Sequence, residues 1–359
     1  PNTTPADTDS NPDKPTRVTL GIEKLIAEAD QLIGEKRFAV VAHNASRLPD
    51  GTHSVDALMD AGHKPQFIFA PEHGFRGKAA AGAKVEDGKD AQTGLEIRSL
   101  YGSNKRPTQA ALDRIDVIVF DLQDVGTRFY TYLSTLVYVM DACAEHGKQL
   151  IVLDRPNPNG WYCDGPLLEP QHKSFVGVLE IPIVHGMTFG ELATFINNRG
   201  LLRNNKPCDL KVIEMDDYTH SMRWDETGLP WVPPSPNLRT VTAAEWYPAL
   251  CWFEGTVVSC GRGSDRPFEQ IGMPMHRALQ KRLVLDSVKS RDTTLYVIQA
   301  HDWQPTTFVP EFSYVKFTGQ TCYGLRALER PQSGEGAMTV GLHLLLNFYT
   351  EYQAYLQRS

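Results

Sequence analysis

Residues 116–147 read DVIVFDLQDVGTRFYTYLSTLVYVMDACAEHG and join an apolar strand to an amphipathic helix. The run Val117–Phe120 consists of β-branched and aromatic residues, which is typical of a strand buried on both faces. Over residues 128–146 the apolar side chains recur at helical spacing, as Phe129, Leu133, Leu136, Val137, Met140 and Cys143. A buried strand followed by a helix is the repeating unit of a parallel α/β sheet.

The same unit recurs on both sides of this stretch. Four further apolar runs predict strands at Phe38–Ala42, Phe67–Ala70, Ile97–Leu100 and Leu150–Leu153. Helical patterns cover residues 20–33, 54–61 and 108–114. A later helix begins at Thr188, which has capping-box spacing to Glu191. The alternation predicts an α/β fold with a Rossmann-like, doubly wound, mostly parallel sheet.

A proline-rich segment divides the chain. Residues 231–240 read WVPPSPNLRT, and prolines remove backbone donors, so we expect an extended connector there. The sequence therefore predicts a Rossmann-like catalytic domain over 18–238 and a smaller α+β domain over 239–359 that completes the cleft. Residues 1–17 are polar and too poor in apolar groups to order themselves. We interpret them as a disordered tether left after removal of a signal or lipid-anchor segment, the alternative being a frayed terminus.

Composition excludes several classes of protein. With 36 basic and 43 acidic residues the net charge is −7, and without a basic stripe we expect no nucleic-acid partner. No run reaches the roughly 18 apolar residues of a membrane span. The six cysteines show no CxxC spacing, so they predict no zinc site. Neither G-x-G-x-x-G nor a Walker A motif occurs, and we expect no cofactor.

Polar and ionisable residues follow the predicted strands. The carboxyl ends of parallel strands meet at one edge of the sheet, so these residues predict a ligand-binding crevice there. The candidates at this edge are Asn44, Glu72, His73, Arg76, Tyr101, Asp121, Asp124, Arg128 and Tyr130. Tyr101 and Tyr130 offer aromatic faces on which sugar rings stack, although packing between helix and sheet explains many such residues.

Glu72 is the strongest single candidate. It follows a buried strand and Pro71, and Gly74 lets the backbone turn closely. A carboxyl group that is partly desolvated in this way suits a general acid. The alternatives are that Glu72 caps the next helix or pairs with Arg76.

The two aspartates after Val117–Phe120 have several interpretations. Asp121 and Asp124 could act as base or nucleophile, or could hold a divalent metal together with His73 or His185. Asp124 could instead cap the helix that contains Arg128. Asp154 and Arg155 suggest a structural ion pair that locks a turn.

Seven sequence blocks occur in one order and resemble the NamZ-like exo-β-N-acetylmuramidase family. The blocks are FAPEHGFRG (69–77), TGLEIRSLYG (93–102), DVIVFDLQDVGTRFYTYLSTL (116–136), VLDRPNPNG (152–160), IPIVHGMTFGELA (181–193), WVPPSPN (231–237) and FEGTVVSCGRGSDRPFEQIG (253–272). The resemblance implies an exo-acting glycoside hydrolase that releases terminal N-acetylmuramic acid (MurNAc) from the non-reducing end of peptidoglycan fragments. It also implies that Glu72 is the catalytic acid/base.

The residues that follow the strands complete the expected site around Glu72. The expected catalytic set is Glu72, His73, Asp121 and Asp124. The expected substrate-binding set is Asn44, Arg76, Tyr101, Arg128, Tyr130, His185, Glu254 and Arg262. The lactyl carboxylate of MurNAc requires a cation, for which Arg76, Arg128 and Arg262 are the candidates. The chain departs from the family pattern at Ala249, Val257 and Met275, where Gly, Asn and an aromatic residue are usual.

Alternatives remain for mechanism and class. The group that assists Glu72 is Asp121, Asp124 or the 2-acetamido group of the substrate, oriented by a carboxylate or by His73. The competing classes are a metal-dependent hydrolase using Asp121, Asp124 and His73, and a non-catalytic protein that binds cell-wall sugars. A peptidoglycan-derived saccharide or muropeptide as partner predicts a periplasmic or extracellular protein, with a lipid anchor in its precursor.

Overall fold

The computed structural model describes residues 17–76, 85–275, 280, 298–306, 315–327 and 337–356. A seven-stranded sheet is formed by β1 (Phe38–Ala42), β2 (Ile68–Ala70), β3 (Gly88–Lys89), β4 (Glu96–Ser99), β5 (Val117–Asp121), β6 (Gln149–Leu153) and β7 (Asp209–Ile213). The α-helices are α1 (Gly21–Ala27), α2 (Ala29–Leu32), α3 (Ser54–Asp60), α4 (Gln109–Leu112), α5 (Tyr132–His146), α6 (Phe189–Asn198), α7 (Val241–Leu250) and α8 (Ala337–Leu356).

The strand order is β3-β4-β2-β1-β5-β6-β7, and every neighbouring pair is parallel except β3 with β4. The chain builds outward from β1 in one direction and from β5 in the other, so the order reverses between these two strands. This confirms the predicted doubly wound, mostly parallel sheet. The register pairs Ala42 with Asp121, which places the reversal at the edge where ligands bind in such sheets.

Helices cover both faces of the sheet. On β1, Phe38, Val40 and Ala42 pack in a core with α1, α2 and α3. The alternating residues Ala39 and Val41 pack in a second core with α4, α5 and α6. Burial on both faces explains why the central strands are apolar throughout rather than alternating.

A smaller antiparallel sheet lies in the C-terminal region, in the order β8-β10-β9. Its strands are β8 (Gln270–Met273), β9 (Ile298–Trp303) and β10 (Cys322–Ala327). With α7 and α8 it forms the predicted α+β part, and the core on the α5 side of the large sheet continues into it through Trp246 and Phe253. The boundary at residues 238–239 stays a prediction.

Several predicted bounds change. The helix predicted over 128–146 begins at Tyr132, and residues 20–33 form two helices separated at Glu28. Thr188 caps α6 in a capping box with Glu191, as predicted. Residues 231–240 contain neither helix nor strand, which also agrees with the prediction.

The predicted tether over residues 1–17 lies outside the described residues except for Arg17. The Arg17 guanidinium donates to Glu23 on α1. No helix within the described ranges combines the length and apolarity needed to cross a bilayer.

Candidate active site

A tight turn after β2 presents Glu72 at the edge of the sheet. The Gly74 N–H donates to the Pro71 carbonyl at 3.0 Å, which closes the turn. His73 and Gly74 both have left-handed backbones, with φ of 70° and 75°. A left-handed conformation costs a non-glycine residue about 1–2 kcal/mol, so surrounding contacts must hold His73 in place.

Two hydroxyl groups hold the half-buried Glu72 carboxylate. Thr131 Oγ1 donates to Glu72 Oε2 at 2.6 Å. The Tyr101 hydroxyl also bonds to Glu72, and burial together with the negative charge of Glu72 raises the pKa of Tyr101 to about 12. Tyr101 therefore stays protonated and donates. Thr131 is the N-cap of α5 but makes no side-chain capping hydrogen bond, and its hydroxyl proton goes to Glu72.

Arg76 does not pair with Glu72. Its guanidinium binds Asp90 at 2.8 Å and Asp56 at 3.3 Å. Arg76 is one of the three arginines predicted to bind the lactyl group, and these two carboxylates already neutralise its charge.

Asp121 is fully buried and forms a bidentate ion pair with Arg155. The distances are 2.6 Å from Arg155 Nε to Oδ1 and 3.0 Å from Nη2 to Oδ2. The predicted pairing of Arg155 with Asp154 is therefore wrong. Asp154 instead accepts hydrogen bonds from the Thr188 hydroxyl and the Gly190 N–H.

Asp124 is buried, and its two oxygens differ in their partners. Its Oδ2 accepts from the Gly126 N–H at 3.0 Å and lies 3.5 Å from His185 Nε2. His185 Nδ1 accepts from the Met187 N–H, which leaves the proton on Nε2, and this nitrogen makes no hydrogen bond within the described ranges. Oδ1 of Asp124 has no hydrogen-bond partner within the described ranges. Asp124 does not cap α5, since that helix begins after Thr131.

Tyr130 lies between the rim of the sheet and the C-terminal region. Its ring centroid is 4.8 Å from that of Tyr132 and 5.9 Å from that of Tyr247. Burial raises the pKa of Tyr130, and the charges of Glu72 and Asp124 act in the same direction. The Tyr130 hydroxyl is buried and finds no partner in the part of the chain that the structure describes.

Glu254 and Arg262 form an ion pair on the C-terminal side. Burial raises the pKa of Tyr247, whose ring contacts that of Tyr130, and the charge of Glu254 acts in the same direction. The guanidinium of Arg262 lies 5.4 Å from the Phe268 ring, and its Nε has no partner among the described residues.

The remaining predicted binding residues make protein contacts. Arg128 donates to the carbonyls of Pro166 and Ile181. Asn44 Oδ1 accepts from Arg47 at 3.1 Å. The structure thus brings Glu72, Tyr101, Tyr130 and Asp124 together, whereas the charges of Asp121 and Arg76 are used within the protein.

The three residues at which the chain departs from the family pattern lie in different surroundings. Ala249 is fully buried in α7, Met275 is half-buried, and Val257 is exposed. Within the described ranges, no group of three or more His, Cys, Asp or Glu side chains is arranged to hold a metal ion.

Three residues outside the predicted catalytic and binding sets support this site, and a fourth residue outside them has a buried amide without a partner in the described ranges. Thr131 bonds to Glu72, and His43 and Tyr132 lie directly beneath it. Asn237 is fully buried, and neither atom of its amide has a partner in the described part of the chain. Its place at the end of the PPSPN segment is the one signal that could have identified it.

Comparison with known proteins identifies the family. A family model described as exo-beta-N-acetylmuramidase NamZ, N-terminal, matches residues 38–242, and the corresponding C-terminal model matches residues 245–358. The chain belongs to the NamZ exo-β-N-acetylmuramidase family. A relative from Bacillus subtilis strain 168, peptidoglycan beta-N-acetylmuramidase NamZ, is 38% identical over 341 residues, covering 94% of this chain and 79% of the relative.

Two crystal structures of DUF1343 family proteins from Bacteroides fragilis NCTC 9343 share the NamZ-family fold seen here. One superimposes with a TM-score of 0.82 at 28% identity, and the other with a TM-score of 0.74 at 36% identity. Each comparison covers 94% of this chain and 84% of the solved chain.

Proposed function

We propose that this protein is an exo-acting glycoside hydrolase that releases terminal MurNAc from the non-reducing end of peptidoglycan fragments. The observation that carries the proposal is the setting of Glu72. Its carboxyl group lies in a strained turn at the carboxyl edge of the sheet and is held by Thr131 and Tyr101. Membership of the NamZ family and the name of the Bacillus subtilis relative support this substrate class.

In this mechanism Glu72 is the general acid. It donates a proton to the glycosidic oxygen as the bond to the anomeric carbon breaks. The hydroxyl groups of Thr131 and Tyr101 fix the carboxyl group, so little reorganisation is needed at the moment of transfer.

Asp124 is the better second carboxylate. Both oxygens of Asp121 are bonded to Arg155, whereas Oδ1 of Asp124 has no partner within the described ranges. Asp124 accepts the N–H of the substrate's 2-acetamido group, and the acetamido oxygen attacks the anomeric carbon as the leaving group departs. Water then opens the resulting oxazoline ring and gives its proton to Glu72, which restores both groups.

The lactyl carboxylate of MurNAc requires a cationic contact. Arg76 is held by two carboxylates and Arg128 by two carbonyls. Arg262 is paired with a single carboxylate, that of Glu254, and keeps a buried Nε donor without a partner in the described chain, so we assign the contact to Arg262.

The test is release of MurNAc from the disaccharide MurNAc-GlcNAc and from its reversed isomer. We expect release from the first substrate only, lost in Glu72→Gln and kept in Glu35→Gln, a matched change at an exposed site. Loss of activity with a chelator would favour the metal-dependent hydrolase, and binding without turnover would favour the sugar-binding protein. Release that survives in Glu72→Gln would show that another residue is the acid.

We also propose a periplasmic or extracellular location, because peptidoglycan lies outside the cytoplasmic membrane. The polar composition of residues 1–17 supports a tether, with a lipid anchor in the precursor. Fractionation of cells that produce the native precursor tests this, and recovery in the cytoplasm alone would contradict it.

A further inference from the structure

A chain of buried hydrogen bonds runs from the end of β5 to the main chain of Glu72. The Gln123 N–H donates to His43 Nε2 at 2.9 Å, and His43 Nδ1 lies 3.1 Å from the Tyr132 hydroxyl. That hydroxyl lies 3.1 Å from the Glu72 carbonyl oxygen. His43 and Tyr132 are both buried beneath the site, so neither side chain is placed to touch a substrate.

The contacts of His43 fix its tautomer. A main-chain N–H can only donate, so His43 Nε2 must carry the lone pair that accepts from Gln123. Burial holds the pKa of His43 well below its usual range, and the positive charge of Arg155 acts in the same direction. The neutral ring therefore carries its one proton on Nδ1 and donates it to the Tyr132 hydroxyl.

Tyr132 must then donate its own proton to a carbonyl. Two carbonyl oxygens are within reach, that of Glu72 at 3.1 Å and that of Pro234 at 3.0 Å. Pro234 belongs to the segment 231–240 that leads to the C-terminal region. The hydroxyl thus joins the turn that presents Glu72 to the segment that leads to the other side of the cleft.

We propose that Tyr132, oriented by His43, is a positioning residue that holds the main chain of Glu72 in its catalytic place. The inference rests on the proposed function, in which Glu72 is the acid. His73, the next residue, has a left-handed backbone, so the turn depends on contacts such as this one. A displacement of about 1 Å in a catalytic group can cost about 100-fold in rate.

Tyr132→Phe tests the role, because it keeps the ring and its edge contacts with His43 and Tyr130 but removes the hydroxyl. On MurNAc-GlcNAc we expect kcat to fall by about 10–100-fold with KM within about threefold. A 2,4-dinitrophenyl MurNAc glycoside has a leaving group that departs without protonation. On that substrate we expect kcat/KM to fall by less than about threefold, because bond cleavage needs no acid there and kcat/KM does not include the later step in which water gives its proton to Glu72.

Two variants of His43 test its part. An Asn amide nitrogen can replace Nδ1 as the donor to Tyr132, whereas a Gln side chain replaces only the acceptor at Nε2. We expect His43→Asn to retain at least about fivefold more disaccharide activity than His43→Gln. Tyr138→Phe, on the same helix as Tyr132, is the matched control and should keep wild-type activity on both substrates.

Thermal unfolding of each variant shows whether it is folded. If Tyr132→Phe does not fold, the comparison of His43→Asn with His43→Gln supplies the test. Equal losses on the two substrates would overturn the positioning role, and so would full disaccharide activity in Tyr132→Phe. A wild-type protein that releases MurNAc from neither substrate would overturn the proposed function itself, together with this inference.

Discussion

His185 Nε2 lies 3.5 Å from Asp124 Oδ2, and both side chains are buried. His185 Nδ1 accepts a main-chain N–H, so the proton lies on Nε2, which makes no hydrogen bond within the described ranges. Asp124 Oδ2 accepts from the Gly126 N–H, whereas Oδ1 has no partner within the described ranges. Both carboxylate oxygens of Asp121, three residues earlier, accept hydrogen bonds from Arg155. The two aspartates of this loop therefore differ in their bonding, since Asp121 has both oxygens paired and Asp124 has one.

Substitutions at Asp121 and Asp124 should separate an effect on stability from an effect on activity. Asp121→Asn leaves the Arg155 guanidinium buried without its counter-charge, and we expect a loss of about 3–5 kcal/mol in the free energy of unfolding. Asp124→Asn removes no such partner, so its loss of stability should be smaller by at least about 2 kcal/mol. Its kcat on MurNAc-GlcNAc should nevertheless fall by about 100-fold or more. Urea unfolding and disaccharide kinetics on both variants measure this, and the reverse pattern would exchange the two roles.

Tyr101 should support the acid without being essential. Tyr101→Phe keeps the ring for sugar stacking but removes one of the two hydroxyl groups that bond to Glu72. A hydrogen bond to a charged group contributes about 1.5–3 kcal/mol, so we expect kcat to fall by about 10–100-fold. Stability should change little, since the side chain is half-buried. Steady-state kinetics decide this, and a change confined to KM would make Tyr101 a substrate contact only.

The fold was predictable where one rule governs a whole segment. β1 has its predicted bounds, Phe38–Ala42, because burial on both faces keeps every residue apolar. β7 was not predicted, because it lies at the sheet edge and its exposed residues Asp209 and Lys211 interrupt the apolar pattern. Helix α5 begins later than its periodicity suggests. The Arg128 N–H bonds to the Ile183 carbonyl instead of continuing the helix.

The site was predictable in its residue types but not in their pairings. Glu72 was identifiable because its strand, the proline and the glycine are neighbours in the chain. The partners of Arg76 and Asp121 are Asp90 and Arg155, which are distant in sequence and meet only in the fold. A charge can be read from the sequence, whereas the group that neutralises it is set by tertiary structure.

Asp154 should make stability fall as the pH rises. Burial raises the pKa of Asp154 to about 6, against about 3.9 in an unfolded chain, although the donors Gly190 and Thr188 act in the opposite direction. Between these two values the folded state keeps a proton that the unfolded state has lost. The free energy of unfolding therefore decreases by about 2 kcal/mol from pH 4 to pH 6 through this group, out of about 3 kcal/mol in all, and the loss is complete near pH 7.

Asp154→Asn cannot titrate, so its stability should be flatter over that window. Urea unfolding at intervals between pH 4 and pH 7 measures the difference from wild type. Asp209→Asn, at an exposed position, is the control and should follow the wild-type curve. Parallel curves for wild type and Asp154→Asn would show that Asp154 does not titrate in this range.

Gly126 should tolerate no side chain, for two separable reasons. Its φ is 73°, and a Cβ would lie 2.2 Å from Asn157 Oδ1. Gly126→Ala would strain the backbone and also displace Asn157, which donates to the Met187 carbonyl. We expect a loss of about 2–4 kcal/mol in the free energy of unfolding. Activity should fall as well, because the Gly126 N–H donates to Asp124.

Gly147 provides the control for the backbone contribution. It has a φ of 61°, but a Cβ there would meet no atom within 4 Å. Gly147→Ala should therefore lose only about 1 kcal/mol, the cost of the left-handed conformation, and should keep its activity. Equal losses in the two variants would mean that Asn157 moves aside freely. A clear excess in Gly126→Ala, together with lower kcat, would show that this close contact holds the loop that carries Asp124.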